Sequence, residues 1–148
     1  NTTVNSNAYA RAIHAHDSQA RVQSQACPLL VPLVEEGWLE HDVTRLTVRE
    51  YLKPILADDA DTLVLGCTHY PLLKPLLREE APRLALVDSA TTTAEHTARA
   101  LAAAGLLRQD GDSAHYRYCV SDIPLRFRAI GERFLGRSFD DLETVRLG

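Results

Sequence analysis

Methionine is absent from this chain, and cysteine is scarce, with single residues at 27, 67 and 119. Three thiols are too few, and odd in number, for the disulfide framework of a small secreted domain. They fit a reducing, cytoplasmic setting better. A chain without methionine that begins on Asn1 reads as a fragment or a processed product. No apolar run approaches the ~18 residues that a membrane span requires, and no charged-then-apolar leader opens the sequence. Basic residues never form a block. Sixteen of them face twenty acidic ones, a net charge of −4, so the footprint of a nucleic-acid binder is missing. The seven glycines are scattered, and none falls into a G-x-G or G-K-[ST] pattern. A phosphate-cradling loop is therefore excluded.

What remains is ordinary globular material. The 148 residues are 45% hydrophobic and 24% charged, enough for one domain with a real core or at most two small ones. Ala8 to His16 is Ala-rich, with Tyr9, Ala12 and Ile13 at helical spacing, and predicts a helix from near Ser6 that Asp17-Ser18 ends. Ala20 to Ala26 alternates small or apolar with polar residues and predicts a short strand. A short helix over 32–36 fits Pro32 in its first turn and Gly37 as its stop. A longer helix, capped by Asp42 or Thr44, carries Val48, Tyr51, Leu52, Ile55 and Leu56 as a core-facing stripe. Pro54 should kink or shorten its last turn.

Thr62 to Leu65 is a run of apolar or β-branched residues, too short and too uniform for an amphipathic helix. It predicts a strand buried on both faces, as in a parallel sheet. A helix over 72–80 and a strand over 84–87 follow. Thr91-Thr-Thr93 then caps an Ala-rich helix to Ala104, with Gly105 beyond it. His115 to Val120 alternates as a strand, and Asp122 caps a last helix whose Phe127, Ile130, Gly131 and Phe134 share a face. One further edge strand is expected between Phe139 and Leu147. Alternating strands and helices predict an α/β fold with a mainly parallel sheet flanked by helices.

The chemistry concentrates after the Thr62–Leu65 strand, where open α/β sheets bind their ligands. Gly66 ends the strand, and Cys67, Thr68 and His69 follow. A thiol works as a nucleophile or base only as thiolate, and an imidazole two residues on can relay its proton. The same Cys67 also reads as a small buried residue ending a strand. The two readings stand side by side on spacing alone. Zinc is a poorer fit to Cys67-x-His69, because about four ligands are needed and no other His or Cys is paired at short spacing; no metal is expected. Glu35-Glu36, just before Gly37, offers a carboxylate acid or base, or simply a solvated helix end.

Leu65-Gly-Cys-Thr-His-Tyr-Pro-Leu-Leu73 resembles the second-cysteine motif of the glutamate racemase family, within the aspartate/glutamate racemase superfamily. Ala26-Cys-Pro-Leu-Leu-Val-Pro-Leu-Val-Glu-Glu-Gly37 resembles the segment before it. Thr3-Val-x-Ser-x-x-Tyr9 resembles the entry into the second lobe. Asp88-Ser89, the Ala-rich helix, Tyr116 to Val120 and Phe134-Leu-Gly136 resemble the tail. Aspartate racemases of the superfamily carry Glu where His69 stands.

The resemblance implies cofactor-independent, two-base racemisation of L-glutamate to D-glutamate for peptidoglycan and cell-wall synthesis in a bacterial cytoplasm. It implies Cys67 as one of two acid/base thiols, with His69 as its proton partner and Glu35 as the carboxylate facing the site. Thr68, His69 and Thr3 would contact substrate. Residues 1–87 would be the second α/β lobe, and residues 88–148 the tail that completes the first. The first lobe's Asp-Ser, Tyr-Gly and Cys-Asn-Thr motifs are not in this sequence; Cys27 precedes Pro and Cys119 precedes Val. The chain therefore reads as a C-terminal portion with half a site, inactive alone. The alternatives are a non-catalytic module binding a small amino acid, or a racemase of aspartate or another amino acid. Glutamate is the expected partner, with neither nucleic acid nor membrane. Unpaired sheet edges favour self-association, so a homodimer is among the expected states.

Overall fold

The computed structural model describes residues 2–109, 111, 113–121, 124–139 and 141–146, and the side chains of all of these except Thr2, Pro124 and Arg126. Two compact units emerge, residues 1–88 and 89–148.

The first unit begins with two helices, α1 (Thr2–Asn5) and α2 (Ala8–His16), separated at Asn7, which adopts φ 50°. Asp17 ends α2, its N–H donating to the Ile13 carbonyl. The predicted strand over 20–26 does not form: the segment is irregular, because it has no strand partner to complete its backbone bonds. Helix α3 (Leu30–Glu35) starts two residues before Pro32 and stops at Gly37. There φ is 79°, and the Gly37 and Trp38 N–H groups donate to the Val34 and Leu33 carbonyls at 3.0 and 2.9 Å. That paired closure satisfies the last carbonyls of the helix.

Helix α4 (Asp42–Ala57) is capped by neither Asp42 nor Thr44. His41 takes the position, its Nδ1 accepting the Val43 N–H at 3.1 Å. Thr44 is instead fully buried, and its hydroxyl donates to the Trp38 carbonyl at 2.5 Å. The helix continues three residues past Pro54. Val48 and Leu52 are buried and Tyr51 and Ile55 pack against the core, whereas Leu56 lies outside the stripe, 44% exposed.

Strand β1 (Thr62–Leu65) pairs in parallel with β2 (Ala85–Asp88), in the register Thr62↔Ala85 to Leu65↔Asp88. Between them run a 3₁₀ turn (Tyr70–Leu73) and helix α5 (Lys74–Glu80). Only one face of this sheet is covered. Leu63, Leu65 and Leu86 join the core built from α3, α4 and α5, while Thr62 and Val64 are exposed. The expectation of burial on both faces fails here because α3, α4 and α5 pack on a single side. On the rim, Arg49 and Arg45 bond Glu80 at 2.6 Å each, holding its carboxyl below the usual range.

The second unit comprises α6 (Ser89–Ala103), β3 (Tyr118–Val120), α7 (Pro124–Leu135) and β4 (Leu142–Thr144). Thr91 to Thr93 lie inside α6 rather than capping it, since the helix begins at Ser89. β3 is shorter than predicted, starting at Tyr118, and pairs in parallel with β4 from Tyr118↔Leu142 to Val120↔Thr144. Phe139, 5% exposed, packs on the rings of Tyr118 and Phe127 at 4.2 and 5.6 Å between centroids. The expected Asp122 cap and Leu147 lie outside the described residues. Parallel strands flanked by helices make the chain α/β.

Candidate active site

Gly66 follows the last residue of β1, and its lack of a side chain has a local cause. A Cβ there would stand 3.2 Å from the ring of Tyr9, tighter than ordinary van der Waals contact. The backbone therefore passes close under the Tyr9 ring as it delivers Cys67, Thr68 and His69. Pro71 then sits in the first positions of the 3₁₀ turn, and the wholly buried Leu73 anchors its far end.

Within this loop His69 sits at the centre. Its Nδ1 lies 3.9 Å from the Cys67 Sγ and 3.3 Å from the Thr68 hydroxyl oxygen. Its Nε2 faces the other way, 3.5 Å from a carboxylate oxygen of Glu35. The side chains of His69 and Glu35 are 23% and 28% exposed, so both are only partly in water. An imidazole with a carboxylate at Nε2 keeps its proton there, leaving the Nδ1 lone pair to accept from a thiol or hydroxyl. The chain of groups thiol, imidazole, carboxylate is thus laid out in the order that a proton relay needs. The closure of α3 at Gly37 puts Glu35 in the last helical turn, facing His69, and leaves Glu36 exposed.

A cavity of about 910 Å³ opens beside the loop, within the range that holds a small-molecule ligand. Thr3, Tyr9, Cys27, Gly66, Cys67 and Tyr70 are on its wall. Glu35, Thr68 and His69 are not on its wall and adjoin it through Cys67. So the structure brings Cys67, Thr68, His69 and Glu35 into one cluster and sets Thr3 on the cavity that Cys67 faces.

Two residues that the sequence reading passed over belong to this wall. The Tyr70 hydroxyl donates to the Cys27 carbonyl at 3.1 Å. Burial, and then the neighbouring Cys27, Cys67 and Tyr51, push its phenol up to about 12. Tyr9 roofs Gly66. The signal for Tyr70 was in its place directly after His69; for Tyr9 nothing local distinguishes it from a helix residue. Cys27 donates its S–H to the Gln25 carbonyl at 3.6 Å, and burial pushes its thiol up to about 11. Among the described residues no three His, Cys, Asp or Glu side chains converge to hold a metal ion.

Residues 1–97 match the family model described as Asp/Glu/Hydantoin racemase. The chain belongs to that family. Over all 148 residues it is 70% identical to a glutamate racemase of Neisseria meningitidis, covering 55% of that protein. Over 147 residues it is 59% identical to a glutamate racemase of Syntrophus aciditrophicus, covering 54% of it. The chain thus spans about half the length of the relatives it matches. Among solved structures, a Francisella tularensis glutamate racemase in complex with D-glutamate superposes with a TM-score of 0.87 at 36% identity, covering 97% of this chain and 54% of that one. A Thermus thermophilus glutamate racemase in complex with β-chloro-D-alanine gives 0.82 at 41%, covering 98% and 53%. Members of the racemase family from distant bacteria therefore share this half of the fold.

Proposed function

We propose that these residues form the C-terminal part of a glutamate racemase, with Cys67 as one of two acid/base thiols. The observation that carries this is the Cys67–His69–Glu35 chain at the carboxyl end of β1, in a family whose relatives are named for that reaction. The Cα proton of glutamate is very weakly acidic, and inversion requires a base on one face and an acid on the other. Deprotonated Cys67 removes the proton from its face, forming the S–H bond as the Cα–H bond breaks. A second thiol gives its proton to the opposite face. The reverse direction exchanges the two roles. No cofactor is needed for this proton traffic.

His69 takes the Cys67 proton at Nδ1 when the thiol must be emptied, and Glu35 holds the ring by its Nε2–H. Thr68 and Thr3 bind the substrate's polar ends. Cys27 shares the cavity, but it is a poor second base: its thiol, pushed up to about 11, stays protonated near neutrality. The second thiol is therefore assigned to the portion that the relatives have beyond these residues. Residues 88–148 complete that other lobe. The D-glutamate produced feeds peptidoglycan synthesis in a bacterial cytoplasm.

In the full-length protein, Cys67→Ala should lower L- to D-glutamate turnover by at least 10²–10⁴-fold, roughly the contribution of a positioned acid/base group. Unchanged turnover, followed by circular dichroism of the amino acid, would falsify the assignment. The 148 residues alone should bind glutamate without inverting it; D-glutamate formed by them would place both bases here. A panel including aspartate tests the substrate.

A further inference from the structure

We infer that Lys74 and Asp88 are positioning residues whose ion pair closes the base of the loop bearing Cys67, Thr68 and His69. This rests on the proton-transfer role proposed above for Cys67. The loop runs from Gly66 to Leu73, and both of its ends lead to the same residue, one to its backbone and the other to its side chain. Leu65, just before it, is the register partner of Asp88 in the β1–β2 ladder. Lys74, just after it, ion-pairs with the Asp88 carboxylate. Asp88 lies on the core-facing side of the sheet, and its side chain is 3% exposed. Tyr70 holds the middle of the loop through the Cys27 carbonyl, and the wholly buried Leu73 anchors its far end in the core. The pair fixes its two ends.

The side chains of Lys74 and Asp88 are 22% and 3% exposed, so the pair is largely withdrawn from water. Such a pair is weak evidence for stability, since apolar residues of similar size often replace one at little cost. A requirement for fixed geometry accounts for it better at this place. The distances from His69 to Cys67 and Glu35, 3.9 and 3.5 Å, sit at the outer edge of hydrogen-bonding range. A shift of a few tenths of an ångström at the loop base then separates the relay. Such misplacements cost catalysis far more than they cost folding.

The test uses the full-length protein with the paired substitution Lys74→Met/Asp88→Leu, which replaces the ion pair by apolar contact. Thermal melting, kcat and KM for glutamate, and the pH profile of Cys67 alkylation by iodoacetamide are measured together. The variant should melt near the wild type, lose ~10- to 100-fold in kcat with KM little changed, and show an altered alkylation profile at Cys67. Wild-type kcat with a wild-type profile would overturn the inference and leave the pair a stabilising contact. If the wild type does not racemise glutamate at all, an altered Cys67 profile in the variant still upholds the positioning role while the racemase reading fails. Should the paired variant not fold, Lys74→Gln, whose neutral amide can still bond Asp88, is read by the same three measurements.

Discussion

The two units of the chain are built from the same α/β material but bury it very differently. In residues 1–88, ten buried residues from α3, α4, α5 and their neighbouring strands and turns form one continuous core. In residues 89–148, Val120 and Phe139 are the buried hydrophobic residues among those described, and α6 buries none along its length. Leu101, Leu106, Leu107, Phe127 and Phe134 stay at the surface. The candidate site lies wholly in the well-packed unit. Acid–base chemistry needs side chains held within a fraction of an ångström, and only a core of interlocking residues supplies that. Among its described residues the other unit buries only Val120 and the Phe139 ring, the latter packed against Tyr118 and Phe127.

This contrast can be attacked directly in the 148-residue chain. Leu73→Ala removes a wholly buried side chain from the first unit and should cost about 2–5 kcal/mol in denaturant unfolding. A loss below about 1 kcal/mol would mean the core is far looser than its burial implies. Thiol reactivity separates the units next. At pH 8 the Cys27 thiolate should be about 100-fold rarer than that of an ordinary thiol, because burial pushes Cys27 from 9.0 up to about 11. Iodoacetamide should modify the exposed Cys119 well before Cys27. The sign for stability follows: a folded state that keeps the proton longer is favoured fully below about pH 9 and loses that advantage as pH rises towards about 11.

Gly131→Ala probes a tight spot of the second unit. The new Cβ would stand 2.4 Å from the Phe139 ring, which Tyr118 and Phe127 hold from other sides. Overpacking should cost about 1–3 kcal/mol; no change in melting would show that the aromatic cluster yields freely. The smallest effect is expected for Leu101→Ala on α6, within about 0.5 kcal/mol here. Repeating it in the full-length protein sharpens the comparison, since a cost of about 2 kcal/mol there would show that this residue becomes covered.

Much of the site was legible because its residues are neighbours in sequence. The strand over 62–65, its stop at Gly66 and the Cys67–His69 triplet need no tertiary information. The choice of Glu35 over Glu36 came only from the family resemblance; in the structure Glu35 lies 3.5 Å from the His69 Nε2 while Glu36 is exposed. What stayed hidden depends on partners far along the chain. The segment 20–26 alternates like a strand but has no ladder to join. His41 caps α4 with a ring nitrogen, a role that hydroxyl and carboxylate side chains usually fill. Thr44 is drawn away from that role by the Trp38 carbonyl. The open face of β1 was unreadable for a related reason: an apolar run says a residue can be buried, and the packing of helices decides whether it is.

Both sheets join strands separated only by a single crossover containing a helix: β1 to β2 through α5, β3 to β4 through α7. Neither unit needs a distant part of the polypeptide to close its ladder, so the chain entropy spent in each closure is small. Low sequence separation of contacts goes with fast folding. The order of synthesis then matters. Both strands of the β1–β2 ladder, and the loop carrying Cys67 between them, leave the ribosome before the second unit does.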